Sequence, residues 1–283
     1  MNIKSKIEVL NIETVSSKNT NISVYFQNHL ETKYFFKYLQ SHSYESYING
    51  IEARKVYFIK KSDRVTLKLF EEENKDVLLV NEHLDIIYED RFILIAKKPA
   101  NLSIHPSHKH FIKHFLGIVK NYLKDSNIPS PHIITRLDYQ TSGLVIIGKY
   151  SFVHNAFQRT KITKKYLLKV NGDLSKLKRK VESKIKRIEG NSIKREVGKT
   201  GKSAKTIFRI KDKKRKIVEA TILTGRTHQI RVHIESLGLK IVGDNLYGDT
   251  GDIMHLHAYY VTFKHPFLKK KITFKDNPPW RFL

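Results

Sequence analysis

IVEATILTGRTHQIRVHIESLG, residues Ile217 to Gly238, changes its period in the middle. Up to Leu223 it alternates, with Ile217, Glu219, Thr221 and Leu223 on one side and Val218, Ala220 and Ile222 on the other, so it reads as a half-buried strand. From Gln229 to Leu237 the spacing is helical: Ile230, Ile234 and Leu237 form an inner face, and Gly238 supplies the stop. Between the two, Thr224 to His233 gathers Arg226, His228, Arg231 and His233. A strand-to-helix junction of this kind presents N–H groups and cations to anions.

Working outward, Leu144 to Ile147 reads as a short buried strand and Tyr166 to Val170 as another. IIYEDRFILIAKKP (Ile86 to Pro99) reads as a strand, an Asp-containing turn and a buried strand that stops before Pro99. Ile112, Leu116, Val119 and Leu123 follow at helical spacing. Strands and helices intermingle without strict alternation, which predicts an α+β domain around a mixed, mostly antiparallel central sheet flanked by helices. Residues 1–80 read as a separate small N-terminal domain. It has a helical pattern at Tyr34 to Leu39 and strand-like alternation at Val56 to Ile59 and Val65 to Leu67. The acidic stretch FEEENKD (Phe70 to Asp76) serves as linker to a second domain over 81–283.

The chain has 283 residues, 53 Lys and Arg against 27 Asp and Glu, and a formal net charge of +26. Its 40% apolar content is enough for a real core. A surplus this large in a folded chain points to a polyanionic partner: RNA, DNA or an anionic membrane surface. The absence of Cys excludes disulfides, thiol nucleophiles and Cys-ligated zinc. No apolar run reaches the length of a membrane span, and the start lacks a hydrophobic signal core. The expectation is therefore a soluble, cytoplasmic protein, with nothing demanding more than a monomer. The charge is uneven: Lys176 to Lys216 carries 18 Lys or Arg and four acids. This basic insertion is either a solvated surface that keeps the chain soluble or a phosphate-contacting arm bordering the functional cleft.

Arg136-Leu137-Asp138 precedes a Thr141-Ser142-Gly143 turn and a buried strand, so Asp138 sits on a loop at a sheet edge, where catalytic groups are often held. Taken alone, the same pattern is ordinary turn chemistry. His228 and His233 are five apart and off a common helical face, and His255 and His257 lack a third ligand, so no metal is expected. Gly198-Lys199-Thr200 and Gly201-Lys202-Ser203 lack the earlier glycine of a phosphate loop, and Gly243 to Gly251 lacks the dinucleotide spacing. No nucleotide cofactor is expected.

Taken in order, several motifs resemble the RluA family of RNA pseudouridine synthases. They are Ile87 to Pro106 with Lys97-Lys98-Pro99 and His105-Pro106, Arg136 to Leu144, Lys165-Tyr166, Thr224 to His233, Gly243 to Gly248, Leu256 to Ala258 and His265-Pro266. One departure is Thr135, where the family usually has His. The resemblance implies RNA as substrate, ribosomal first and transfer RNA next, and isomerisation of uridine to pseudouridine without cofactor or metal. By family position Asp138 is the catalytic carboxylate, Arg231 its shielded ion-pair partner and Tyr166 the aromatic that stacks on the base. Leu256 forms the apolar wall opposite, and Arg136 fills the space left by a flipped uridine. Arg226, His228 and Thr141 complete the expected substrate-binding set. A non-catalytic RNA-binding or ribosome-assembly factor on the same fold is the alternative, and it need not keep Asp138, Tyr166 and Arg231 together. Residues 1–80 more faintly resemble the S4 RNA-binding module, through Tyr47-Ile48-Asn49-Gly50 and Ser62-Asp63-Arg64-Val65.

Overall fold

The computed structural model of the chain describes residues 6–21, 44–53, 57–72, 76–107, 110–126, 128, 130–190 and 193–280. The helical pattern at Tyr34 to Leu39, Val56 and the middle of the expected linker (73–75) lie outside them.

The N-terminal part contributes β1 (Lys6–Val15), β2 (Thr20–Asn21), β3 (Tyr44–Ile48), β4 (Ile51–Glu52), β5 (Phe58–Ile59) and β6 (Arg64–Glu72). Four of these form an antiparallel sheet in the order β1-β6-β3-β4, while β2 pairs with β5. The alternation read at Val65 to Leu67 extends along β6, with Val65, Leu67 and Leu69 fully buried on one face. β3 and β4 are joined by Asn49-Gly50, both at positive φ (50° and 84°), the two-residue turn whose twist matches that of the strands. Asn49 then ties down the other quoted segment. Its Nδ2 donates to Asp63 Oδ1 at 2.8 Å, and its Oδ1 accepts from the Arg64 N–H at 2.8 Å.

The rest of the chain forms one twelve-stranded mixed sheet. Its strands are β7 (Asp85–Glu89), β8 (Ile93–Lys98), β9 (His132–Ile133), β10 (Ser142–Gly148), β11 (Ile162–Asn171), β12 (Lys180–Arg187), β13 (Arg195–Gly198), β14 (Lys202–Asp212), β15 (Ile217–Ile222), β16 (Lys240–Ile241), β17 (Leu256–Lys264) and β18 (Lys271–Lys275). The main path runs β13-β12-β14-β15-β11-β17-β10-β8-β7, and only β10 and β17 pair in parallel. The described helices are α1 (Phe115–Leu123), α2 (Ser151–Phe157) and α3 (Gln229–Ser236). None is long and apolar enough to cross a membrane. Leu116, Val119 and Leu123 lie on α1 as the spacing predicts, but Ile112 is outside it and 78% exposed, because the helix starts only at Phe115.

β8 and β10 are buried along nearly their whole length, as expected of central strands covered on both faces. Gly143 is where the Thr-Ser-Gly signal acquires a physical reason. It sits at φ +117°, paired with Ala258, and a Cβ there would lie 2.4 Å from the Ala258 carbonyl oxygen, so only glycine lets β10 enter beside β17. Thr135, where the resembling family usually has His, is buried, and its hydroxyl oxygen accepts from the Ile146 N–H at 2.9 Å.

Across β11 the pleat sets Tyr166, Leu168 and Val170 on one face, and Lys165 and Leu167 on the other. This alternation governs the basic segment as well. The reading of Lys176 to Lys216 as one arm bordering one cleft needs correction, because its strands are hydrogen-bonded into the sheet edge and the segment divides. β12, β13 and the start of β14 lie beside Gly225 to Thr227, whereas Arg209, Lys211 and Arg215 line a cavity with Lys165 and Leu167 on the opposite face.

Candidate active site

Arg136, Asp138, Thr141, Tyr166, Arg226, His228, Arg231 and Leu256 all line a single cavity of about 260 Å³. Five pieces of chain deliver them: the β9–β10 loop, β11, the β15–α3 junction, α3 and the start of β17. The loop carrying Asp138 is pinned from beneath. Leu102 N–H donates to the Tyr139 carbonyl at 3.2 Å, and the buried Lys98 ammonium reaches the carbonyls of Pro99 (2.7 Å), Leu102 (2.9 Å) and Tyr139 (3.2 Å). Burial pulls the Lys98 pKa down to about 7, while the Asp138 carboxylate pulls the other way.

Arg231 faces two carboxylates, and its tighter pairing is not with Asp138. Its Nε donates to Asp244 Oδ2 at 2.8 Å and its Nη2 to Asp244 Oδ1 at 2.6 Å, a bidentate pair between side chains that are both almost fully buried. Nη2 also reaches Gln140 Oε1 at 3.3 Å. Nη1 is turned to Asp138 Oδ2 at 3.8 Å, and the Asp138 side chain keeps 27% of its surface in contact with solvent. The expected ion pair shielded on both sides is thus corrected: Asp244 fixes the guanidinium, and Asp138 stands at its outer edge, open to the cavity. Asp244 Oδ1 also accepts the N–H groups of Leu246 and Tyr247, and the guanidinium lies 4.9 Å from the centre of the Tyr247 ring. His228, in left-handed backbone (φ 57°), approaches the Tyr247 hydroxyl at 2.9 Å through Nδ1.

Electrostatically the cavity has few charges that are free to move. Burial, then the Asp138 charge, pushes the Tyr166 phenol far above its ordinary value, so it is a neutral hydrogen-bond donor at any working pH. Burial likewise lowers His228, with Arg231 and Arg195 acting in the same direction and Asp138 and Asp244 opposing. Lys164, one residue from the quoted Lys165-Tyr166, lines the cavity and is also lowered by burial. His233 is placed elsewhere, between Thr206 Oγ1 (2.9 Å) and Ser183 Oγ (3.0 Å), while His257 meets Ser142 and Asp276. Among the described residues no three His, Asp or Glu side chains converge as a metal-binding set.

Sequence reasoning missed Asp244, Tyr247, Lys164 and Lys98. The Gly243 to Gly248 motif held a signal for the first two, since an Asp inside a tight glycine-rich turn after an Arg-bearing helix is a candidate counter-ion. A groove of about 460 Å³ continues from the cavity through Gly225, Arg226 and Thr227, and Lys186, Arg187, Arg195 and Lys202 line it. Together the pieces form a small pocket with a carboxylate at its rim and a cationic groove leading away.

The model of the RNA pseudouridylate synthase family matches residues 92–236. Among curated proteins, the chain is 32% identical over 243 residues to the uncharacterized RNA pseudouridine synthase YjbO of Bacillus subtilis (strain 168), covering 82% of this chain and 86% of that protein. It is also 32% identical over 239 residues to the ribosomal large subunit pseudouridine synthase D of Neisseria meningitidis, covering 76% of this chain and 63% of that protein. Among solved structures, human RNA pseudouridylate synthase domain containing 1 shares the fold, with a TM-score of 0.56 at 24% identity over 70% of this chain and 85% of that one.

Proposed function

The chain belongs to the RNA pseudouridylate synthase family and is an RNA-modifying uridine isomerase; on that premise we propose that Asp138 is its reacting carboxylate and large-subunit ribosomal RNA its substrate. The observation that carries the first part is the convergence on one cavity of eight residues drawn from between Arg136 and Leu256. The second part is supported by the Neisseria meningitidis relative, which is named for the large ribosomal subunit.

Isomerisation breaks the N1–C1′ bond of a uridine, turns the uracil and joins C5 to C1′. The electron pair of the broken bond leaves with uracil. C5 then bonds to C1′, the C5 hydrogen departs as a proton, and N1 takes one up. A carboxylate at C1′ serves this chemistry as nucleophile or as the base of a glycal route. Asp138 suits either role, with its carbonyl held by the Thr141 N–H, the next carbonyl, that of Tyr139, held by Lys98, and its carboxylate left open to the cavity. The Arg231 Nη1 edge faces that carboxylate at 3.8 Å, while Asp244 keeps the guanidinium from rotating away. Tyr166, held neutral, offers a flat face and one hydroxyl proton to the detached uracil, and Leu256 closes the other side. Arg136, exposed at the rim, stacks where the flipped base has left, and the Lys186 to Lys202 groove holds flanking phosphates. The N-terminal strands, with Asn49 binding the two S4-like segments together, serve as an accessory RNA-contacting domain.

The test is to incubate the protein with transcripts of large-subunit ribosomal RNA and with bulk transfer RNA, digest both to nucleosides and separate them. Pseudouridine is expected from the ribosomal transcript alone. Product from transfer RNA alone would reverse the substrate assignment.

A further inference from the structure

The sheet carries a second cavity on the face opposite Asp138, and its volume of about 600 Å³ is more than twice that of the first. The pleat proves the separation: Tyr166 on β11 and Ile222 on β15 line the first cavity, while Lys165 and Leu167 on β11 and Ile217 and Glu219 on β15 line the second. Half-buried Tyr259 and Tyr260 come from β17, Lys275 from β18, Trp280 from beyond it, Arg209 and Lys211 from β14 and Arg215 from the β14–β15 turn.

Five cations face two acids here, and both acids are already engaged. Asp212 Oδ1 accepts the Arg215 N–H at 2.9 Å. Glu219, buried at the floor, accepts the Tyr259 hydroxyl and lies 3.7 Å from the Lys165 ammonium, which in turn sits 5.2 Å from the centre of the Tyr260 ring. Glu219 thus offsets Lys165, whereas Arg209, Lys211, Arg215 and Lys275 form no ion pair among the described residues, and the walls are aromatic. Trp280 is 97% buried and stacked on His255 with ring planes 1° apart, and its Nε1–H has no hydrogen-bond partner among the described residues. A buried indole donor beside a cavity is a group that a bound acceptor can engage.

Aromatic faces interleaved with Arg and Lys, in a cavity sized for one nucleotide, are the features that hold single-stranded nucleic acid. We infer that this cavity binds a nucleotide unit of single-stranded RNA, its base against the Tyr260 wall beside the Trp280 indole and its phosphate on Arg209, Arg215 and Lys275. A substrate strand thus passes round the β14–β15 hairpin and is gripped on both faces of the sheet. The inference requires RNA as partner but does not depend on Asp138 being the reacting group.

Trp280 is the only tryptophan of the chain, so its fluorescence reports on this cavity directly. Titrating the intact protein with a short unstructured oligoribonucleotide is expected to change that fluorescence saturably. The Arg209→Ala/Arg215→Ala/Lys275→Ala variant, altered only at exposed positions, is expected to bind roughly tenfold more weakly or worse, and Tyr260→Ala to show a similar loss. Turnover of a minimal stem-loop too short to reach round the hairpin stays unchanged in both variants. The inference is overturned if the oligonucleotide binds by anisotropy without moving the Trp280 signal, or if the variants bind as tightly as the parent. It is overturned equally if uridine monophosphate alone matches the oligonucleotide's affinity, because the cavity then serves a free nucleotide.

Discussion

The two cavities share the same strands and differ in how their charges are held. On the Asp138 face, Arg231 and Asp244 are almost fully buried and locked to each other, so position is bought with desolvation, as a reaction centre requires. On the Trp280 face, Arg209, Lys211, Arg215 and Lys275 are exposed and pair with little, so they supply attraction without fixed geometry. One strand serves both because its pleat alternates. The lesson is that buried, mutually fixed charges mark the chemistry and mobile exposed ones mark the grip.

The sharpest way to break this comparison is Asp138→Asn. Pseudouridine formation should fall on the order of a thousandfold or more. RNA affinity should hold or tighten slightly, since a negative charge near phosphates has gone; filter binding beside product analysis checks the pair of outcomes. Next in size is Asp244→Ala, which strands a buried guanidinium and should cost about 3–5 kcal/mol in denaturant unfolding. Arg215→Ala on the other face should stay within about 0.5 kcal/mol. If both variants were equally mild, the contrast between fixed and mobile charge would fail.

Acid sharpens the comparison from another side. Burial lowers His233 to about 4, and burial, then the neighbouring His154, lowers His132 to about 4, both from an ordinary value of 6.5. The unfolded chain therefore binds more protons than the folded one between those limits, and stability falls as pH drops from 6.5 towards 4. Each histidine contributes on the order of 1–3 kcal/mol over that window, and His233→Gln should flatten its share of the slope in pH-dependent unfolding. The smallest expected effect concerns the groove beside Arg226. Lys186→Ala/Arg187→Ala/Lys202→Ala should reduce the salt slope of RNA binding by about 2 while sparing turnover at saturating RNA.

Much of this was readable in the chain. Ile217 to Gly238 announced a strand, a cationic junction and a helix, and these are β15, the Gly225 to His228 turn and α3. The eight expected site residues all line one cavity, beside others such as Lys164. Asp244's hold on Arg231 was hidden because ion pairing depends on where two loops close, and residue spacing carries no such distance. The division of the basic segment was hidden for a related reason. A running charge count is one-dimensional, whereas β14 turns its early residues toward one face's groove and its late ones toward the other. Glu219 read as one side of a half-buried strand, and that side is the floor of the second cavity. Gly143 was legible as turn chemistry, but its necessity appears only when Ala258 is seen against it.

The most direct test is to supply the protein with RNA labelled with tritium at uridine C5 and to count tritium released against pseudouridine formed. Joining C5 to C1′ expels that hydrogen, so the account predicts one tritium per pseudouridine from the intact protein and none from Asp138→Asn. RNA bound tightly by the intact protein with no tritium released would contradict it.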